Sequence, residues 1–548
     1  MKLPLRAAIG LLAAPLPVIA LAVAPAAHAA VQPSARVALR SDVLPAAATA
    51  HATRTGQVAA GKGISVTVSL AQRDPAGLRT FLKQVTDPKS SQYKHYLTVK
   101  QFAARFGATA ASAGQVTAYL KAQGLKVGAV SANGLTLTAV GTAAQVQKAF
   151  GTTLATYHDA TTEQDFYANA AAPVLPAAIA SAVTDVSGLS DYTKLHHYSS
   201  RNPQASSKAV SGLTPAKARS AYNVASAISS GYNGSGVTVG LLEFSGFTQS
   251  DVTAYDKYFS LSPSTPVVRS AGGGTTDKSG QDEVELDIEV VQALAPGAAT
   301  KVYEAPNSDA GEVAVYAALV SDDVPVVSIS WGTYEAGETA SNRTALDTDF
   351  QEAAAQGQSV YSASGDSGSD DAGDGGTSVD FPASDTYVTG TGGTTLTTTS
   401  AGAWSKETAW SGSGGGVSSY FSTPSFQSSV NTGSYRDVPD VAADANPSSG
   451  WAIYTGGSWQ EFGGTSAAAP NWAAFTAIYD SEASALGASG FGYANSTIYS
   501  LASSSSYSSA FHDAKSGSNG AYSAATGYDK VTGWGSYNGA GFLSAELG

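Results

Sequence analysis

The sequence predicts an α+β unit followed by a larger α/β domain. Length is the first reason, because 548 residues exceed what one hydrophobic core ordinarily serves. Composition is the second: 43% hydrophobic and 13% charged residues can bury a large core, and they exclude a disordered chain or a coiled coil. The third is rhythm. From about residue 60 to 185 short β-like runs alternate with helical stretches, whereas beyond residue 215 strand, glycine turn and helix succeed one another as in α/β domains.

Taken in order, Lys2 and Arg6 precede an apolar run from Ala7 to Ala27 and the small-residue site Ala27-His28-Ala29, the layout of a secretory signal peptide over 1–30. Pro15, Pro17 and Pro25 interrupt that run, which argues against a membrane anchor. The protein is therefore expected to be secreted. In the unit assigned to 31–185, Ile64–Leu70 and Leu135–Val140 read as strands, and Ala76–Val85, Ala111–Ala122 and Ala143–Phe150 as helices. A segment over 186–215, rich in Ser, Lys and Ala from Tyr192 onward, reads as an exposed linker open to proteolysis. Residues 216–548 then form one domain, with strands at Val237–Phe244, Val324–Ser330 and Ser359–Ser362.

Charge divides at the same place. Residues 1–200 carry a net +9 and residues 201–548 a net −22. A basic unit detachable from an acidic one predicts a prosegment and its enzyme, docked by attraction at neutral pH and released as carboxylates protonate. With no cysteine in the chain, disulfides, thiol catalysis and Cys-ligated zinc are excluded.

Gly463 to Pro470 is a glycine turn leading into an Ala-rich helix, and a serine there, Ser466, would sit beside unpaired backbone N–H groups as a nucleophile requires. Read alone, the same serine is a helix cap. A nucleophilic serine needs a base, and after residue 200 the chain holds a single histidine, His512, in a Gly/Ser-rich loop. That points to a carboxylate base. In the helix predicted from Gln281 to Pro296-Gly297, Glu283, Asp287, Val290, Val291 and Leu294 share one face, and Glu285, Glu289 and Gln292 make a solvated one. Burial and like charge would raise at least one of Glu283 and Asp287, although a helix N-terminus also favours acids for its own sake. Gly365-Asp366-Ser367-Gly368 follows a strand; in acid a protonated Asp366 could donate to an oxyanion.

These motifs, with Asp87-Pro88-Lys89-Ser90 and Gln101 to Gly107 in the first unit and Ser328 to Gly332 in the second, resemble the sedolisin family of serine-carboxyl peptidases, nearest its kumamolisin-like bacterial branch. The resemblance implies a subtilisin-like parallel-sheet catalytic domain behind a ferredoxin-like α+β prodomain. It implies Ser466 as nucleophile, Glu283 as general base and acid, Asp287 as its support and Asp366 as oxyanion stabiliser. Glu243 and Trp331 would extend the Glu283 network, and Asp380 would line the S1 pocket, where a carboxylate favours a basic P1 side chain. It also implies one structural Ca²⁺, held by Asp513 and Asp529 carboxylates and the carbonyls of Ala514, Ala525 and Gly527; the sequence departs from the family pattern at Ala514, Ala525 and Tyr528.

The resulting expectation is a secreted, acid-active endopeptidase acting on proteins or peptides, a monomer made as a self-processing zymogen with its prosegment as inhibitor and chaperone. Neither nucleic acid nor membrane is an expected partner. A tripeptidyl-peptidase of the same family and a secreted Ca²⁺-dependent binding module are the alternatives.

Overall fold

The N-terminal unit is built on four antiparallel strands in the order Lys126–Val130, Thr136–Thr142, Gly63–Leu70 and Val183–Ser187, the split βαβ arrangement of ferredoxin-like folds. Local chemistry fixes the helices between them. Asp74 caps Pro75–Val85 by accepting the Gly77 N–H at 2.8 Å, and Thr142 with Gln145 forms a capping box at the start of Ala143–Phe150. The elements read from sequence in this unit agree with these. A second antiparallel sheet, Ala52–Gln57, Leu154–Asp159 and Gln164–Asn169, was not legible. These features come from a computed structural model that describes residues 35–40, 42–44, 50–205 and 210–548; the predicted signal segment lies outside them. No helix among the described residues is long and apolar enough to cross a membrane.

The large domain carries an eight-stranded sheet in the order Val267–Ser270, Ala299–Glu304, Thr238–Glu243, Val326–Ile329, Ser359–Ala363, Thr389–Thr398 and Trp404–Ala409, with Val441–Asp444 also paired to Thr389–Thr398. All pairs are parallel except the last hairpin. Alternate side chains feed two cores. Val239, Leu241, Val326 and Tyr361 pack against helices Gln281–Leu294 and Thr465–Leu486. Leu242, Val327, Ile329 and Val360 pack on the other face against Asp309–Ser321 and Ala340–Gln356.

One sequence expectation fails here. Glu285, Glu289 and Gln292, read as a solvated face, are buried with 0%, 0% and 1% exposure. The hairpin Trp451–Gly463 covers that side of the helix, and the carboxylates hold its surroundings: Tyr454 N–H donates to Glu289 Oε2 at 2.9 Å and Thr248 N–H to Glu285 Oε1 at 2.8 Å. Long-range coverage overrode the local charge pattern.

Both domains belong to one compact unit, Arg36–Gly548. The first docks through an apolar cluster joining Leu82, Phe102 and Phe106 to Ala354, Ala355 and Tyr493, bordered by Asn133 Nδ2 donating to Glu352 Oε2 at 2.7 Å. The linker differs from its sequence reading. Leu195, Tyr198 and Asn202 are buried, and its two short strands, His196–His197 and Ser200–Arg201, add to Trp331–Tyr334 and Ser458–Gly463. A polar segment looks aperiodic when its pairing partners lie more than 100 residues away.

Candidate active site

Helix Gln281–Leu294 opens at Gly280, where a Cβ would lie 3.0 Å from the Trp331 ring, and its first turn carries Asp282 and Glu283 against the positive helix end. Glu283 and Asp287 are fully buried. Both Asp287 oxygens accept the Ser330 hydroxyl, at 2.8 and 3.0 Å, and Asp287 also hydrogen-bonds Glu243. Glu243, at the C-terminal end of its strand, accepts the Trp331 indole N–H at 2.8 Å. Burial first, then the neighbouring carboxylates, raises Asp287 and Glu243 well above the usual carboxylate range. A raised pKa lets Asp287 and Glu243 hold a proton into milder acid than an exposed carboxyl would.

Ser466 stands at the second position of helix Thr465–Leu486, buried, with its N–H free of the helical ladder. Its Oγ accepts the Tyr198 N–H at 3.0 Å and donates to the Ser330 carbonyl at 3.4 Å. The Ser466 N–H donates to the Tyr198 carbonyl oxygen at 3.2 Å. Gly464, with φ +100°, makes room: a Cβ there would lie 1.8 Å from that carbonyl oxygen and 2.7 Å from Asp366 Oδ2. Thr465 pins Asp366 through its N–H at 2.8 Å and hydroxyl at 2.9 Å. Burial nonetheless pushes Asp366 up to about 7, so in acid it carries the O–H that an oxyanion would need.

The linker brings two residues that sequence reasoning missed. His197 Nδ1 lies 3.2 Å from Glu283 Oε2, and its ring meets Trp331 edge-on at 5.1 Å. Burial lowers the His197 pKa, but the hydrogen bond and charge of Glu283, with Asp282 and Asp366, raise it by more. Tyr198 points its hydroxyl at Asp380, which is buried beside it. Within the chain itself, the partner of Asp380 is therefore the linker phenol. His512, set aside as a base, stacks flat on Trp404 at 4.1 Å, and burial lowers it to about 4.

The residues expected to hold calcium also converge. Gly527 N–H donates to Asp513 Oδ2 at 3.0 Å and Ala525 N–H to Asp529 Oδ2 at 2.9 Å; Ala514 is buried beside Asp513. The carboxylates of Asp513 and Asp529 here accept backbone N–H groups from the same loop. Among the described residues no group of three or more His, Cys, Asp or Glu side chains is placed to hold a metal, so an ion here would need the backbone carbonyls.

Residues 50–192 match the pro-kumamolisin activation domain family. Sedolisin of Pseudomonas sp. (strain 101) is 34% identical over 519 residues, covering 88% of this chain and 86% of its own. The chain belongs to the sedolisin family. Kumamolisin of Bacillus sp. (strain MN-32) is 34% identical over 540 residues, with 91% and 95% covered. A solved structure, Pseudomonas sedolisin (serine-carboxyl proteinase) complexed with two molecules of pseudo-iodotyrostatin, superposes on 62% of this chain and 98% of its own, with TM-score 0.56 and 33% identity. This sedolisin-family chain is a serine-carboxyl peptidase zymogen, with a parallel-sheet catalytic domain behind its activation domain.

Proposed function

We propose that the protein is a secreted endopeptidase that works in acid through an acyl-enzyme on Ser466. Glu283 takes the Ser466 proton as Oγ attacks the peptide carbonyl and gives it to the leaving amine; water then repeats the sequence on the ester. Asp287 and Glu243 set the charge around the Glu283 carboxyl, and Asp366 with the Ser466 N–H receives the oxyanion. The single observation that carries this reading is the linker carbonyl of Tyr198 lying against Ser466 N–H with Glu283 on the preceding residue's side.

Two features favour endo- over tripeptidyl cleavage and acid over neutral pH. Bound chain extends upstream of His196, where the Asn307 side chain holds Leu195 by two hydrogen bonds of 2.8 and 3.0 Å, and downstream to Asn202, whose N–H donates to Glu461 at 2.8 Å. An enzyme that counts three residues from a free amino terminus would close the upstream end. Buried carboxylates raised by burial, such as Asp256 and Asp480 to about 6 and Glu285 to about 7, make acid the condition in which the fold is stable.

Asp513, Asp529 and the carbonyls of Ala514, Ala525 and Gly527 would hold one Ca²⁺ that ties the C-terminal loops; added chelator should lower the melting temperature of the mature enzyme, and calcium should restore it. The mature enzyme is read as a monomer, and the activation domain as its intramolecular inhibitor. Ser466→Ala should leave full-length protein unprocessed in acid and without digestion of added protein, a loss beyond about 10³-fold. A Ser466→Ala chain that still matures in isolation and digests protein would overturn the mechanism.

A further inference from the structure

The linker does more than pass over the cleft. On both sides of Tyr198 it pairs with the walls as a strand, His196–His197 with Trp331–Gly332 and Ser200–Arg201 with Phe462–Gly463. Between them the Tyr198 N–H lies 3.2 Å from the Ser330 carbonyl and 3.0 Å from Ser466 Oγ, so its two neighbours fix this one residue over the serine. Its carbonyl oxygen meets the Ser466 N–H and shares the Gly464 gap with Asp366, whose Oδ2 also accepts the Ser200 hydroxyl at 3.4 Å. Its side chain is buried against Asp380. Neither flanking residue has its carbonyl on the Ser466 N–H.

We infer that the Tyr198–Ser199 peptide bond is the first bond this zymogen cuts, in its own chain, with the Tyr198 side chain as the recognised P1 group. The inference rests on the acyl-enzyme reading above. Ser466 Oγ bonds to the Tyr198 carbonyl carbon while its proton moves to Glu283; the bond to the Ser199 nitrogen breaks as that nitrogen takes the proton. Water then cleaves the ester. The activation domain ends in a Tyr198 carboxylate, the catalytic domain begins at a Ser199 amine, and one water is consumed. The phenol selects the register because a buried Asp380 left without its partner is costly. A basic residue is available three positions on, at Arg201, but its backbone pairs with Phe462 rather than lying over Ser466.

The test uses the full chain brought to acid and quenched at the earliest times, with both fragments weighed intact by mass spectrometry. The expected products are an activation fragment ending at Tyr198 and a catalytic fragment starting at Ser199, formed at a rate independent of protein concentration. Tyr198→Phe, which removes only the hydroxyl, should be cut at the same bond about tenfold more slowly. First cleavage elsewhere in the wild-type chain, after Arg201 for example, with Ser466→Ala uncut, would overturn the inference and leave the acyl-enzyme reading standing. Cleavage of isolated Ser466→Ala chain would overturn both. Equal rates for Tyr198→Phe and wild type would remove the phenol as the P1 determinant.

Discussion

Glu243, Glu283 and Asp287 at the cleft and Asp185, Asp309, Glu312 and Glu338 at the activation-domain boundary are both groups of buried carboxylates that repel one another. In the second group, Asp185 comes from the activation-domain strand Val183–Ser187. Ser187 donates to Asn342 Oδ1 at 2.9 Å, and Asn342 Nδ2 donates to Glu312 Oε2 at 2.7 Å. Burial first, then Glu338 and the neighbouring aspartates, raises Asp309 and Glu312 well above the ordinary range. The cations facing the group are Lys194, near Asp309, and Arg343, near Glu338. Glu243 and Asp287 at the cleft are raised in the same way. What separates the two groups is what their serines face: Ser466 has its Oγ on the Tyr198 N–H and its own N–H on the Tyr198 carbonyl, whereas Ser187 in the second group bonds Asp185 and the Asn342 side chain. Perturbed acidity locates strain of burial, and geometry assigns chemistry.

The comparison breaks most sharply at Asp366. Asp366→Ala should keep the mature fold and lose about 10² to 10³ in kcat, since it removes the donor at the oxyanion, which Asp366→Asn would replace with an N–H; steady-state kinetics in acid with unchanged circular dichroism would check it. A mature variant with undiminished kcat would detach Asp366 from the reaction.

The boundary cluster should act on stability instead. Its carboxylates are raised, so the folded chain binds protons that the unfolded chain has lost. The stability they add is full below their ordinary values of 3.8 and 4.5 and is lost as pH rises through about 6 for Asp185 and about 7 for Glu338. Full-length Ser466→Ala, unfolded in urea from pH 4 to pH 8, should therefore be most stable at the acid end. Adding Glu312→Gln should flatten that slope by on the order of 1 kcal/mol. This local effect opposes the acid release expected from the +9 and −22 charges, because burial at the contact acts at shorter range than the net field. A slope that rises toward neutral pH would restore the net-charge reading.

The smallest expected effect concerns His197, which holds Glu283 while Ser466 bonds elsewhere. Its raised pKa means that the grip is full below the ordinary value of 6.5 and fades as pH climbs past it. His197→Ala should process severalfold faster in mild acid, measured by fragment appearance over time, with the gain shrinking toward neutral pH. Slower processing would mean that the imidazole is recognised rather than inhibitory.

Much of this was legible in the sequence because local rules carried it. The activation-domain helices follow caps and apolar spacing, and Glu283 and Asp287 follow from one helical turn beside an apolar stripe. The shortage of histidine excluded a subtilisin-type base before any geometry was known. What could not be read depends on contacts distant in sequence. Glu285 and Glu289 looked solvated until the hairpin around Tyr454 covered them, and the Tyr192–Pro215 segment looked exposed until Trp331 and Phe462 paired with it. At Asp380, burial and Asp371 raise the carboxyl well above the ordinary range and a phenol from the distant linker sits on it, a contact that no local pattern announces.

The central claim is that position relative to Ser466, and not a raised pKa, marks the working carboxylates. Its most direct test is kcat/KM in acid for Glu283→Gln beside Glu312→Gln, each cut in the linker by an added protease that is then removed. The account predicts a loss beyond about 10³-fold for the first and a value close to wild type for the second. Comparable losses in the two variants, or wild-type activity in Glu283→Gln, would contradict it.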